Sequence, residues 1–229
     1  MKTAPVVVIA MDAFKGCIGS LDAAAIVADG IRSVWPEMVV RSLPVADGGE
    51  GTIDAIHHGL GGEWIPVQVT GPMGATVSSK YLRLPDGTAI LELAAASGLP
   101  LVPEAERNPL LATTYGTGEL IRHALDTGCT RLMLGVGGSA TNDGGVGLLE
   151  ALGARFHDAS GEIVRFGPQE GNGGVEGVVN GGGSLHRIAR IDTTGLHPAF
   201  CATHPELPLT VACDVSNPLC GPTGASATF

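Results

Sequence analysis

The sequence has 229 residues, 44% of them hydrophobic, which is enough for one large domain or two small ones with a buried core. Its formal net charge of −10, from 13 Lys and Arg against 23 Asp and Glu, excludes the broad basic surface of a nucleic-acid-binding protein. No apolar run reaches the roughly 18 residues of a membrane span and the N-terminus resembles no cleavable leader, so we expect a cytoplasmic protein without a membrane partner.

The first 60 residues predict part of a parallel α/β domain. Residues 5–11 form a continuous β-branched run, which is typical of a strand buried on both faces of a parallel sheet. A helical pattern that begins at Ser20, a good helix cap, leads to a second strand at residues 39–45. The usual right-handed crossover makes the two strands parallel. A short helix at about residues 53–58 completes the unit, which we assign to residues 1–60.

A second, mixed α/β domain is predicted for residues 61–229. In Pro85-Asp86-Gly87 the proline presets φ and the glycine accepts a positive φ, so this turn predicts an antiparallel hairpin. A second hairpin is predicted around Ala159-Ser160-Gly161, and the glycine-rich residues 167–184 predict a mobile loop. The other predicted elements are strands at residues 64–70, 131–136 and 207–215 and helices at residues 117–127 and 146–152.

The loop at residues 137–145 joins a predicted strand to a predicted helix. Such a junction directs backbone N–H groups and the positive helix end at one spot, which suits a phosphate. Asp143 would hold a metal ion or accept from N–H groups of the loop. The alternative is a tight structural turn in which Asp143 caps the following helix. The candidate nucleotide-binding residues are Gly137, Gly138, Ser139, Thr141, Asn142, Asp143 and Gly144.

Two other loops also place carboxylates and glycines after a predicted strand. In open α/β sheets ligands bind beyond the carboxyl ends of the strands. Lys15, three residues after Asp12, would reach a transferring phosphate as a point charge, or it is simply a solvated loop lysine. Asp47 and Glu50 are paired carboxylates of the kind that Mg²⁺ binds, or they cap the next helix.

Two further segments are candidates for site residues. Asp214 follows the apolar run 209–213, where partial desolvation would raise its pKa and suit it to be a general base for a substrate hydroxyl. The alternative is a hydrogen-bonded turn aspartate. Residues 113–119 open a helix and form either a second anion site or an N-terminus with ordinary caps.

Together these loops resemble the type I glycerate kinase family. The resemblance implies ATP- and Mg²⁺-dependent phosphorylation of D-glycerate, at its 2-hydroxyl. It also implies two α/β domains, a flavodoxin-like parallel-sheet domain and a mixed domain containing β-hairpins, with the active site between them. The five blocks that carry the resemblance lie at residues 12–16, 44–52, 108–110 with 113–120, 137–145, and 212–215 with 217–221.

For this reaction we assign the following roles to residues as hypotheses. Asp214 would deprotonate or orient the substrate hydroxyl, and Lys15 would neutralise the transferring phosphoryl group. Asp47 and Glu50 would hold Mg²⁺ or bind substrate. The candidate substrate-binding residues are Asp12, Gly48, Gly49, Thr114 and Gly116.

The sequence departs from the family pattern in three places. Ala13 and Cys17 stand where family members often have serine, and residues 166–181 resemble an insertion. The family continues beyond residue 229, so we expect a truncated chain whose missing part completes the first domain's sheet. Two alternatives are a fragment that binds nucleotide or glycerate without turnover, and a phosphatase or mutase with Asp12 as nucleophile. The sequence also leaves a homo-oligomer open.

Overall fold

The computed structural model describes residues 5–14, 17–49, 51–168, 179–200, 207–213, 215–218 and 220–228. The strands are β1 (Val6–Ile9), β2 (Val39–Ser42), β3 (Glu63–Thr70), β4 (Thr76–Arg83), β5 (Thr88–Glu92), β6 (Arg131–Gly135), β7 (Arg155–His157), β8 (Ile163–Val164), β9 (Arg190–Asp192) and β10 (Leu209–Ala212). The helices are α1 (Ser20–Val34), α2 (Thr52–Leu60), α3 (Ala94–Ser97), α4 (Tyr115–Asp126), α5 (Val146–Ala151) and α6 (Ala225–Thr228). Single 3₁₀ turns or short 3₁₀ helices lie at Leu99–Leu101, Glu104–Glu106, Gly182–Arg187 and Pro198–Phe200.

The largest sheet in the described part of the chain has the strand order β10-β6-β5-β4-β3. The strands β10, β6 and β5 are parallel, whereas β4 and β3 are antiparallel to their neighbours. The change of direction comes from the predicted hairpin at Pro85-Asp86-Gly87, in which Gly87 has a φ of +82° and donates its N–H to the Leu84 carbonyl at 3.0 Å. This hairpin is confirmed, and with it the mixed α/β character of the fold.

Helices pack on both faces of this sheet. Successive side chains of a strand point to opposite faces, so each strand contributes contacts to both layers. In β4, Tyr81 joins the cluster under α4 while Leu82 joins the cluster under α2. In β5, Leu91 and Ile90 divide in the same way. The helix α2 therefore packs on the large sheet through Ile53, although the sequence grouped it with the first domain. The domain boundary at residue 61 stays a prediction.

The strands β1 and β2 form a separate parallel pair, as predicted. Their register runs from Val6 opposite Val39 to Ile9 opposite Ser42, and α1 makes the crossover. The expectation that β1 is buried on both faces is wrong within the described residues. Alternation turns Ile9 toward α1, while Val6 and Val8 on the other face are 53% and 54% exposed.

A third, antiparallel sheet has the order β8-β7-β9. The predicted hairpin β7–β8 is confirmed, and Phe156 and Phe166 pack edge to face beneath it with ring centroids 5.4 Å apart. The strand β9 was not predicted. The end of the predicted mobile loop, residues 182–184, belongs to the 3₁₀ helix Gly182–Arg187, and residues 169–178 lie outside the described part. The last strand is shorter than predicted and ends at Ala212.

Across the described ranges, no helix combines the length and the apolar character that are needed to cross a bilayer.

Candidate active site

The carboxyl ends of the strands meet at one edge. Beyond the last residues of β1 and β2, Val45 donates its N–H to the Met11 carbonyl at 3.3 Å, so Asp12 follows directly beside this contact. Further along the loop after β2, the Gly48 carbonyl accepts from the Gly137 N–H, in the loop after β6, at 3.3 Å. These hydrogen bonds join the end of the small parallel sheet to the end of the large one.

Within the large sheet, the ends of neighbouring strands are joined in the same way. Val136 donates its N–H to the Ala212 carbonyl at 3.3 Å, and Leu93 donates to the Gly135 carbonyl at 2.8 Å. We call the joined segments the strand-end row. It consists of residues 11–13, 45–49, 92–93, 135–139 and 212–213.

Three glycines of the row allow backbone to pack directly on backbone. A Cβ on Gly48 would lie 2.7 Å from the Ala212 carbonyl oxygen, and a Cβ on Gly137 would lie 2.6 Å from Cα of Gly49. A Cβ on Gly135 would collide with the Gly48 carbonyl. Glycine is required at these positions because any side chain would separate the loop from the sheet. This packing gives Gly137 a structural reason to be glycine, and its role in nucleotide binding stays a prediction.

The loop that carries Asp47 is held by Thr52, the first residue of α2. Thr52 is buried, and its hydroxyl accepts from the Gly48 N–H at 3.2 Å and donates to the Gly49 carbonyl at 2.8 Å. Asp47 is exposed and accepts from the Gly49 N–H at 2.9 Å through Oδ1. Its side chain therefore stabilises its own turn as well as facing solvent.

The predicted metal pair is only half described, because Glu50 lies outside the described residues. Within the described ranges, no group of three or more His, Cys, Asp or Glu side chains is arranged to hold a metal ion. The assignment of Asp47 and Glu50 to Mg²⁺ stays a prediction.

Asp143 takes the second of the two roles that the sequence left open, that of accepting from N–H groups. It is 1% exposed. Its Oδ2 accepts from the Thr114 N–H at 2.9 Å, from the Thr114 hydroxyl at 2.8 Å and from the Gly147 N–H at 3.3 Å. Its Oδ1 accepts from the Gly145 N–H at 3.0 Å. The carboxylate thus joins the beginnings of α4 and α5.

The candidate substrate residues Thr114 and Gly116 lie in contacts between elements. Thr114 is buried, and a Cβ on Gly116 would collide with the Thr70 carbonyl at the end of β3. Glu119, on the next turn of α4, accepts from the Thr70 N–H at 2.6 Å. These contacts favour the structural alternative for residues 113–119, and the substrate role stays a prediction.

Tyr115, the first residue of α4, is a neutral phenol in this environment. Burial raises its pKa, and the nearby negative charges of Glu119 and Glu150 raise it further. The ring lies against Gly167, where a Cβ would collide with it. Tyr115 therefore supplies packing, and not a negative charge, at the start of α4.

The first half of the loop 137–145 is anchored at its ends and open in the middle. Leu99 donates its N–H to the Gly138 carbonyl and Ala140 donates to the Ser97 carbonyl, both at 2.9 Å. Ser139 and Gly144 are exposed, whereas Thr141 and Asn142 are half-buried. The loop thus presents a hydroxyl and backbone groups to solvent from a fixed backbone.

The two predicted catalytic residues, Lys15 and Asp214, lie outside the described residues. Nearby in the chain, Asp12 and Cys213 are described and lie in the strand-end row. Asp12 is half-buried and accepts from the Ala13 N–H at 2.7 Å, and Cys213 precedes position 214 at the end of β10. A cavity of about 520 Å³ opens between α2, β6 and β10, and its lining includes Asp47, Thr52, Met133, Ala212 and Cys213.

Glu92 is a site residue that the sequence analysis missed. It ends β5, pairs in register with Gly135, and accepts from the Ile53 N–H at 2.9 Å through Oε1. A carboxylate that closes an apolar strand was the signal that singled out Asp214, and the same signal was present at residues 88–92. Glu92 fixes the start of α2 to the centre of the strand-end row.

Comparison with known proteins identifies relatives of the chain. The model of the glycerate kinase family matches residues 7–229. The glycerate kinase of Bacillus subtilis (strain 168) is 48% identical over 224 residues. The glycerate 2-kinase of Escherichia coli (strain K12) is 43% identical over 224 residues. Each match covers 97% of this chain and 54% of the relative.

A solved structure from Salmonella typhimurium LT2, provisionally named glycerate kinase 2, has a similar fold. The TM-score is 0.79 at 45% sequence identity, and the match covers 99% of this chain and 56% of that chain. The present chain thus spans about half the length of the relatives that it matches. Because the family model matches nearly every residue, the chain belongs to the glycerate kinase family.

Proposed function

We propose that the protein acts as a glycerate kinase, which transfers the γ-phosphate of ATP to D-glycerate with the 2-hydroxyl as acceptor. The observation that supports this most strongly is the strand-end row, in which the loops after β1, β2, β6 and β10 meet in a member of this family. The relatives named glycerate kinase and glycerate 2-kinase support the choice of substrate and of hydroxyl.

Phosphoryl transfer depends mainly on positioning and on neutralising charge, so a site needs donors to phosphate oxygens on a fixed backbone. The loop 137–142 suits this requirement. Gly138 and Ala140 are tied to Leu99 and Ser97, and Ser139 between them is exposed. In this proposal the hydroxyls of Ser139 and Thr141 donate to the phosphates, since the N–H groups of Gly137, Ala140 and Gly145 already donate within the protein. Lys15, which follows Asp12 in the neighbouring loop, adds the positive charge.

We propose that the β2–α2 loop binds a magnesium ion. Asp47 and Glu50 are separated by two residues in the sequence, and Mg²⁺ commonly binds one or two carboxylates together with phosphates and water. Asp47 uses Oδ1 within its turn, so the proposal gives the metal its other oxygen. When bound, the ion would neutralise charge on the phosphate oxygens.

The proposal places the glycerate hydroxyl beside Asp214. This residue follows Cys213, which lines the cavity between α2 and the large sheet together with Asp47. A carboxylate at the end of an apolar strand is suited to accept the hydroxyl proton as attack begins. Glycerate would enter between the loops after β2 and β10.

The test is an ADP-release assay on the 229-residue chain with ATP, Mg²⁺ and a panel of D-glycerate, L-glycerate, glycolate and lactate. ADP release that requires D-glycerate supports the proposal. Enolase added to the product then identifies 2-phosphoglycerate by the formation of phosphoenolpyruvate.

Calorimetry with each ligand alone separates the alternatives. Binding of ATP or glycerate without turnover indicates a fragment that binds only. Release of phosphate from a phosphorylated substrate without ATP, through a phosphorylated Asp12, indicates a phosphatase or mutase. A chain that binds neither ATP nor D-glycerate would overturn the proposal.

A further inference from the structure

We propose that Asp143 is a positioning residue that supplies an internal anion at the joined beginnings of α4 and α5, and so fixes the half of the loop at residues 137–142 on which nucleotide binding depends. The link to nucleotide binding rests on the proposed function. The internal contacts of Asp143 stand without it.

The hydrogen-bonding capacity of this carboxylate is already used. An ionised carboxylate accepts about four hydrogen bonds, and Asp143 accepts four from Thr114, Gly145 and Gly147. With 1% of the residue exposed, water has no access to replace them. A cation at this carboxylate would face N–H groups that repel it, so the arrangement is that of a structural anion and not of a metal ligand.

Thr114 closes the network. Its hydroxyl donates to Oδ2 of Asp143 at 2.8 Å and accepts from the Leu148 N–H in α5 at 2.9 Å. The two helices are in direct contact beside Thr114, where Gly118 has no side chain to separate them. A Cβ on Gly118 would collide with the Leu148 carbonyl. Each buried polar atom of this network therefore has a partner on the other helix or on Asp143.

The network also controls the loop. Asp143 immediately follows residues 137–142, in which Gly138 is bonded to Leu99 and Ala140 to Ser97. Ser97 is itself buried, and its hydroxyl lies 2.8 Å from that of Thr117 in α4. Two links to α4 therefore follow Ser139 in the loop, one through Ala140 and Ser97 and the other through Asp143, while the Gly138 carbonyl on its other side accepts from the Leu99 N–H.

The experiment compares Thr114→Val with Thr114→Ser and Asp143→Asn in the 229-residue chain. Valine keeps the shape of threonine but removes both hydroxyl bonds, whereas serine keeps them. At Asp143, asparagine would turn an N–H₂ group toward N–H donors. The affinity for ATP is measured by calorimetry with Mg²⁺ and with EDTA, and the folded state is verified by thermal unfolding.

Thr114→Val is expected to weaken ATP binding about tenfold in both conditions, the effect of one or two buried hydrogen bonds. Thr114→Ser is expected to stay within about twofold of the unmodified chain. If Asp143→Asn removes only the Mg²⁺-dependent part of the affinity while Thr114→Val has no effect, Asp143 is a metal ligand and the proposal is wrong.

Amide hydrogen exchange gives a second readout that needs no nucleotide. Thr114→Val, but not Thr114→Ser, should speed the exchange of amides in residues 137–142 in the ligand-free chain. Unchanged exchange in both variants contradicts the positioning role. If the unmodified chain fails to bind ATP but the exchange result holds, the proposed function fails and the role of Asp143 in fixing the loop stands.

Discussion

The Ile53 N–H donates a 2.9 Å hydrogen bond to Oε1 of Glu92, which lies 39 residues further along the chain. This bond ties the first turn of α2 to the last residue of a central strand, next to Gly135. Because the loop with Asp47 leads directly into α2, Glu92 sets the position of that loop on the strand-end row.

Glu92→Ala should destabilise the chain by about 1–3 kcal/mol, because the Ile53 N–H loses its partner in a half-buried place. Glu92→Gln should cost less, since an amide oxygen accepts the same bond. Urea unfolding of both variants measures the difference, with Glu104→Ala at an exposed position as the control. Equal losses in the alanine and glutamine variants would show that the charge, and not the hydrogen bond, is what matters.

Two glycine-to-alanine substitutions should show separately how close packing and backbone freedom affect the stability of the fold. Gly135→Ala should destabilise strongly, by about 2–4 kcal/mol, because its Cβ collides with the Gly48 carbonyl. Gly30→Ala, in the exposed middle of α1 with open space around the Cβ, should stabilise by about 0.5–1 kcal/mol. Thermal unfolding of the two variants checks both signs. A Gly135→Ala variant as stable as the unmodified chain would contradict the packing of the loop on β6.

Acid should weaken the third sheet through Asp158. The Ser160 hydroxyl bond, with backbone N–H bonds from Ser160 and Glu162, lowers the pKa of Asp158 below the ordinary aspartate value. A lowered folded-state pKa means that the stabilisation is complete above about pH 4 and is lost as the pH falls below it.

Unfolding of Asp158→Asn measured from pH 7 to pH 3 should therefore show a smaller loss of stability than the unmodified chain. Ser160→Ala should lie between the two, because it removes the hydroxyl bond and keeps the backbone bonds. Identical pH profiles for all three proteins would exclude this contribution.

The sequence predicted local elements better than their partners. The turn Pro85-Asp86-Gly87 contains its own physical cause, so the β4–β5 hairpin was predictable. The contact between α2 and the large sheet was not, because hydrophobic spacing around Ile53 shows which face is buried but not against which sheet. For the same reason the pattern of β1 could not show that Val6 and Val8 stay exposed among the described residues.

The site shows the same division. That glycines and carboxylates gather after strands was predictable from chain order, since carboxyl ends of parallel strands share an edge. The individual partners were not: Asp143 accepts from Thr114, 29 residues away, and Gly137 faces Gly49. Spacing within one loop carries no information about which distant backbone will supply donors or need room.

Asp214→Asn tests the assignment of the general base. If Asp214 accepts the hydroxyl proton, kcat in the ADP-release assay should fall by about 10²–10⁴-fold, with little change in the affinity for ATP. Asp54 lies on α2 and forms an exposed ion pair with Lys80 of β4. Asp54→Asn serves as the matched control and should keep normal kcat. A normal kcat for Asp214→Asn would remove Asp214 from the mechanism.

The central claim is that ATP and D-glycerate meet on the strand-end row, and amide hydrogen exchange with and without the two ligands tests it most directly. The account predicts slower exchange in residues 45–49, 136–142 and 212–213 when MgATP and D-glycerate are present, and unchanged exchange in the distant strands β7, β8 and β9. Protection confined to those three strands, or no protection anywhere at saturating ligand, would contradict it.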